Sequence, residues 1–231
     1  LEDIEGFIAV FPNLQSYRHS YVTSKWRKPL RSRRMYQALL QVKVTLREIW
    51  LHFPEQNFTR AEGLKWPTYS TFTVLELLHI PIFLLEDFKG ERRTINLSEL
   101  LPPTLKTLHI FDASYNTLPN LLPSLLDYIN SPHSQNLTDI TIATTPHYVE
   151  GGLIIILDEP FKRRLQLTDD PSRPDDFADP ICQRLKELER ACRRRQVKFD
   201  FQIFDHSSEL ARVWKFEDPF EETLWVWKVD R

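Results

Sequence analysis

The chain has 231 residues, 42 % hydrophobic and 27 % charged, with a formal net charge of −2, a balance expected of a folded soluble protein with no global pull toward nucleic acid or anionic membrane. Five glycines against sixteen prolines leave few backbone positions for loops that cradle phosphate. The only cysteines, Cys182 and Cys192, fall in one helix-like stretch that would hold them about 15 Å apart, too far to pair, so a reduced, cytoplasmic or nuclear setting is expected. The charged opening LEDIEG is no signal peptide, and Leu1 sets the expectation of further natural residues ahead of it. FTVLELLHIPIFLL (72–85) is interrupted by Glu76 and His79 and is shorter than the roughly 20 residues of a membrane span, so no membrane is expected. Sequons at Asn57, Asn96 and Asn136 read as accidental.

In chain order, LQSYRH (14–19), LREIWL (46–51), LELLHI (75–80), LKTLHI (105–110) and LTDITI (137–142) share one pattern, leucine first and large, mostly apolar residues fourth and sixth. The leading Leu14, Leu46, Leu75, Leu105 and Leu137 are 32, 29, 30 and 32 residues apart, room for one strand, one turn and one returning helix. A sixth strand, VKFDFQIF (197–204), follows after 60 residues, with Val197, Phe199, Phe201 and Ile203 predicted to alternate inward. Between strands, MYQALLQVKV suits a short helix starting near Ser32, with Met35, Leu39, Leu40 and Val42 apolar. LPPTL (101–105) and LPNLLPSLL (118–126) hold too many prolines for long helices, so short helical turns are expected there. The clearest helix has Asp179 as N-cap, Pro180 first, Ile181, Leu185, Leu188 and Cys192 on one face, and Arg193 to Arg195 at its negative pole.

The LxxLxL pattern at a period near 30 resembles the leucine-rich-repeat family, directly over about residues 1–145 and more loosely over 180–204. That resemblance implies an α/β fold, an open leucine-rich-repeat solenoid with a parallel concave sheet and irregular convex helices, here a single domain over 1–231. Where the family often carries a ladder of asparagine or cysteine eight residues after the first leucine, this chain has Val22, Pro54, Phe83, Ala113 and Thr145. Its leucine strands, LPPTLKTLHI and CRRRQVKF also look like the degenerate repeat regions of fungal F-box-type proteins. The stretch 146–178 breaks the period as an insertion or altered repeat. Residues 206–231, with LWVWKV (224–229) and its Trp225 and Trp227, are expected to cap the open end.

LIIILDEP (153–160) looks like the Walker B strand of ABC-type ATPases, but no two glycines are spaced for a phosphate loop, so Asp158 and Glu159 read as the end of a buried strand. His79 and His109 hold equivalent positions in adjacent repeats about 4.8 Å apart and could share a metal, but zinc usually takes at least three protein ligands and His52 is the only plausible third, on the neighbouring strand. The bland alternative, a polar concave surface, is preferred, and no metal or cofactor is expected. GxSxG and HExxH are absent and neither cysteine has a histidine close by, so no catalytic residue is assigned and a non-enzymatic protein is expected.

Strand alternation sends the fourth and sixth positions inward and the third, fifth and seventh onto the concave face. The candidate partner-binding residues are therefore Arg18, Glu48, Trp50, His52, Leu77, His79, Thr107, His109, Phe111, Asp139 and Thr141. Trp50, Arg18 and Phe111 are the favoured anchors, with Leu77 adding apolar area. The expected function is protein–protein interaction, and the resemblance implies the substrate-recognition repeats of an F-box-type ubiquitin ligase receptor, with an SKP-family adaptor as partner only if an F-box lies upstream. Two alternatives stay open: an enzyme of (β/α) barrel type, disfavoured because only six strands are convincing, and nucleic-acid binding through the basic run KWRKPLRSRR (25–34), read primarily as a solvated loop.

Overall fold

A leucine that leads each repeat turns inward, and two residues later the backbone is extended. The computed structural model describes residues 4–20, 32–52, 66–85, 95–111, 113, 117–144, 147–149, 153–155 and 180–203. Among them are eight strands: β1 (Ser16–Ser20), β2 (Glu48–His52), β3 (Leu77–Pro81), β4 (Thr107–Phe111), β5 (Asp139–Thr144), β6 (His147–Val149), β7 (Leu153–Ile155) and β8 (Lys198–Ile203). Six form one sheet in the order β1-β2-β3-β4-β5-β8, every neighbouring pair parallel. The fold is therefore mixed α/β around an open parallel sheet. β1 and β8 lie at its two edges, so the strands close no barrel.

The register is the one the leucine spacing predicts. Ser16, Glu48, Leu77, Thr107 and Asp139, each two residues after a leading leucine, align across the sheet, and Lys198 joins the row. Backbone hydrogen bonds repeat with it. The Gln15 carbonyl accepts from the N–H groups of both Arg47 and Glu48, Arg47 does so for Glu76 and Leu77, Glu76 for Lys106 and Thr107, and Lys106 for Thr138 and Asp139. Behind the sheet the leading Leu14, Leu46, Leu75, Leu105 and Leu137 are buried, as are Ile49, Leu78, Leu108 and Ile140 at the fourth position and Leu51, Ile80, Ile110 and Ile142 at the sixth. Each such side chain contributes roughly 1.5–3 kcal/mol. Phe199 and Phe201 of β8 pack half-buried against the same core, as their alternation predicts.

The helices are α1 (Ile4–Ala9), α2 (Ser32–Leu40), α3 (Leu97–Leu100), α4 (Leu118–Asn130) and α5 (Pro180–Arg194), and α1 packs on α2, α3 on α4 and α4 on α5. α2 buries Met35, Tyr36, Ala38 and Leu39, and α5 buries Ile181, Leu185, Leu188, Ala191 and Cys192, close to the sequence expectation; the proposed cap Asp179 lies outside the described residues. The short helical turn expected at LPPTL lies just ahead of it, in the single turn of α3 that ends at Leu100. The expectation of short turns over 118–126 is corrected, because α4 runs unbroken for 13 residues. Pro119 sits in its first turn, where an N–H has no partner to lose. Pro123 is inside the helix and cannot bond the Pro119 carbonyl four residues earlier, but the Arg184 guanidinium of α5 donates to that oxygen at 2.8 Å. A neighbouring helix thus supplies the missing donor.

Among the described residues just before β3, aromatic rings fill the core. Trp66 lies 5.2 Å from Tyr36 and 5.3 Å from Tyr69 between ring centroids, and Phe72 sits 6.0 Å from Tyr36, edge to face. The Tyr36 hydroxyl donates to the Thr68 carbonyl at 2.9 Å. α5 ends on Gln196, whose φ of 57° is left-handed; Gln196 N–H donates to Arg193 and Val197 N–H to Cys192, a Schellman closure with glutamine where glycine is usual.

The residues eight after the leading leucine provide no polar ladder: Phe83 and Ala113 are buried, while Val22, Pro54 and Thr145 lie outside the described residues. A different side-chain ladder runs at the leading end of the strands. Thr45 Oγ1 donates to the Leu14 carbonyl at 3.0 Å, Thr104 Oγ1 to Leu75 at 2.8 Å, and Asn136 Nδ2 to Pro103 at 2.8 Å.

The break in the period leaves the main sheet continuous. β8 pairs directly with β5, while β6 and β7 pair antiparallel in a two-stranded sheet of their own. Asp158, Glu159, most of the 25–34 basic run, Trp225 and Trp227 lie outside the described residues; Arg33 and Arg34, the last of that run, are exposed on α2. Among the described residues no helix is long and apolar enough to cross a membrane.

Candidate functional site

With the fourth and sixth positions committed to the core, alternation leaves the third, fifth and seventh on the opposite face of the sheet. The fifth positions form a straight row, Arg18, Trp50, His79, His109, Thr141 and Asp200, fixed by the strand register. Four of its first members join Phe111 in one stack. The Arg18 guanidinium carbon lies 5.3 Å from the Trp50 ring centre, Trp50 stacks on His79 at 4.1 Å and 18°, and Phe111 covers His79 at 4.8 Å and 28°. His109 meets His79 edge to face at 5.7 Å, with the two Nδ1 atoms 3.5 Å apart.

The two borders of this stack carry opposite arrangements of charge. At β1 and β2, Arg18 Nη2 is 3.3 Å from Glu48 Oε2, which also accepts from Ser16 Oγ at 2.8 Å. Along the leading ends of the strands Glu76 holds Arg47 and Lys106, each at 3.1 Å. These pairs are half-exposed, and such ion pairs contribute about 0–1 kcal/mol apiece. At β5 and β8, Asp139, Asp200 and Lys198 surround His109, and the Gln202 amide donates to Asp200 at 2.6 Å. Burial lowers the His109 pKa below the ordinary histidine value; Asp139 and Asp200 act upward and Lys198 downward. A histidine whose folded value is depressed gives stability that is complete above its unfolded value near pH 6.5 and lost as pH falls through the folded one. His19, on the core side, is lowered by burial as well.

Placement separates the sequence-predicted residues into two kinds. Arg18 is exposed; Glu48, Trp50, Leu77, Thr107, His109, Asp139 and Thr141 are half-buried and accessible on the face. His79, expected on a polar surface, is only 2 % exposed, and Phe111, expected as an anchor, is 8 % exposed. Flanking rings cover the first, and the second buries one face in the stack, so both support Trp50 rather than offering area to a partner. The His52 side chain lies outside the described residues, although its backbone pairs with Ser20. Among the described residues no group of three or more His, Cys, Asp or Glu side chains is placed to hold a metal ion.

Asp200 and Lys198 belong to this face and were missed from sequence. Their strand lacks a leading leucine, and the aligned place is taken by Gln196; the alternation of Phe199 with Phe201 was the signal that sets Asp200 in the fifth position. The arrangement offers a half-exposed indole braced from behind, a guanidinium above it and carboxylates at the far border. No protein-family model matches the chain, and no curated protein or solved structure matches it either.

Proposed function

We propose that the chain is a leucine-rich-repeat solenoid, one domain over 1–231, that binds a partner protein on the open face of its sheet. Parallel strands, the first five following one another at a period near 30 and the sixth joining the same sheet after 59 residues, with the core on one side, support the solenoid reading. The observation that carries the docking role is the braced indole: Trp50 is half-buried, seated on His79 and Phe111 and topped by Arg18, and rigid aromatic and arginine anchors dominate binding energy at protein interfaces. In the narrower form suggested by its likeness to fungal F-box-type repeats, the protein is a cytoplasmic or nuclear substrate receptor of a ubiquitin ligase, with an SKP-family adaptor as a partner only if an F-box lies upstream.

Affinity capture of the full natural chain from its own cells, with mass spectrometry of what is retained, tests both levels. Trp50→Ala is expected to lose the main bound protein, with affinity falling roughly 30-fold or more for a central aromatic anchor. Val44→Ser, at an exposed turn away from the stack, is expected to keep it. Retention of every partner by Trp50→Ala would place docking elsewhere. An SKP-family protein absent from all captures would remove the ligase role and leave the docking face standing.

A further inference from the structure

We propose that His79 and His109 form a proton-operated latch on the open sheet face, holding Trp50 in its stack while the pair carries no more than one proton and releasing it when both rings are protonated. The inference needs no docked partner, so it stands or falls apart from the function proposed above.

The geometry sets the proton count. The two Nδ1 atoms are 3.5 Å apart, and a hydrogen bond between them requires one N–H and one bare lone pair. A neutral pair meets that condition with opposite tautomers, and a singly protonated pair meets it with the imidazolium donating. Two imidazolium rings cannot, because both Nδ1 atoms then carry hydrogens and like charges face each other across the same gap. His79 is 2 % exposed, with Trp50 stacked at 4.1 Å on one side and Phe111 at 4.8 Å, so when His79 moves away from a charged His109 the half-exposed layer, Trp50, lifts with it.

The surrounding charges place the second protonation in acid. From β5 and β8, Asp139 and Asp200 favour a charged His109 and Lys198 opposes it, with burial the largest influence and also opposing. From the β1 and β2 side, Arg18 sits over Trp50, its charge shared with Glu48. Phe111 brings no charge. One proton is tolerated beside the two carboxylates, and the second meets burial, Lys198 and the first imidazolium together.

Trp50 is one of six tryptophans, so its signal is isolated by subtracting the fluorescence of a Trp50→Phe chain from that of the unmodified chain at each pH. As pH falls from about 7.5 to about 4.5, the range in which histidines charge, the difference spectrum is expected to shift to the red while far-UV circular dichroism holds constant. His109→Gln, whose amide offers a donor or an acceptor at any pH, is expected to flatten that titration. A difference spectrum indifferent to pH, one that still titrates in His109→Gln, or one that changes only as the circular dichroism is lost would overturn the latch. Should His109→Gln not fold, NMR of the histidine Cε1–H signals in the unmodified chain decides: mutually coupled two-step curves for His79 and His109 support the latch, and two independent single-step curves refute it.

Discussion

From β1 to β5 the strands keep one register and change little but their side chains, whereas the described residues on the helix side differ in length and kind from unit to unit. Ahead of β2 stands the nine-residue α2; ahead of β3, an aromatic cluster built on Trp66, Tyr69 and Phe72; ahead of β4, the single turn of α3; ahead of β5, the 13-residue α4 with proline inside it. The difference follows from what each side must supply. Strands share backbone hydrogen bonds, so a shift of one residue would turn every core side chain to solvent and the register admits no variation. The other side has only to fill volume behind the sheet, and rings, a turn or a helix all do so.

If that contrast holds, substitutions on the strand side cost in proportion to their place in the row, while those on the helix side cost only what local packing loses. The largest expected effect is for Leu108→Ala, a fully buried fourth-position residue in a central strand, at about 2–5 kcal/mol in urea unfolding. A loss below about 1 kcal/mol would mean the strand row is as forgiving as the helix layer. Next comes Arg184→Ala, which removes the donor to the Pro119 carbonyl and is expected to cost about 0.5–1.5 kcal/mol. In a Pro123→Ala background α4 regains its own N–H for that carbonyl, so the same change should then cost almost nothing, a coupling read from a double-mutant cycle. Gln196→Gly should raise stability by about 0.5–1 kcal/mol by relieving the left-handed backbone at the end of α5. Smallest of all, Glu76→Gln should change the unfolding free energy by no more than about 0.5 kcal/mol, since Arg47 and Lys106 meet it in solvent-screened contacts.

The same contrast explains what could be read in the residues beforehand. Leu14, Leu46, Leu75, Leu105 and Leu137 announce the strands and their register because the alternation is local and repeated. The row from Arg18 through Trp50, His79 and His109 to Thr141 was legible for that reason. The covering of His79 was not, because it depends on Trp50 and Phe111 leaning over it from two other strands. On the helix side, α4 was concealed by Pro119, which sits harmlessly in the first turn, and by Pro123, whose tolerance rests on Arg184, 65 residues from the Pro119 carbonyl it bonds. The aromatic cluster has no helical period to reveal it, and Gln196 carries no mark of a left-handed residue. Thr45, Thr104 and Asn136 looked like ordinary turn residues, since the carbonyls they bond belong to the preceding unit.

The direct pairing of β8 with β5 bears on how this chain assembles. Thr107 and Asp139 are partners 32 residues apart, while Asp139 and Lys198 are partners at 59, nearly twice the separation. Loop-closure entropy grows so slowly with length that such a doubling costs only about 0.6 kcal/mol. The first five strands can therefore zip together through near-neighbour contacts, with the sixth joining by a longer search at little thermodynamic penalty. The span between β5 and α5 is accordingly where this protein would accept added length, a fluorophore-bearing loop or an inserted domain, with the least disturbance to the rest.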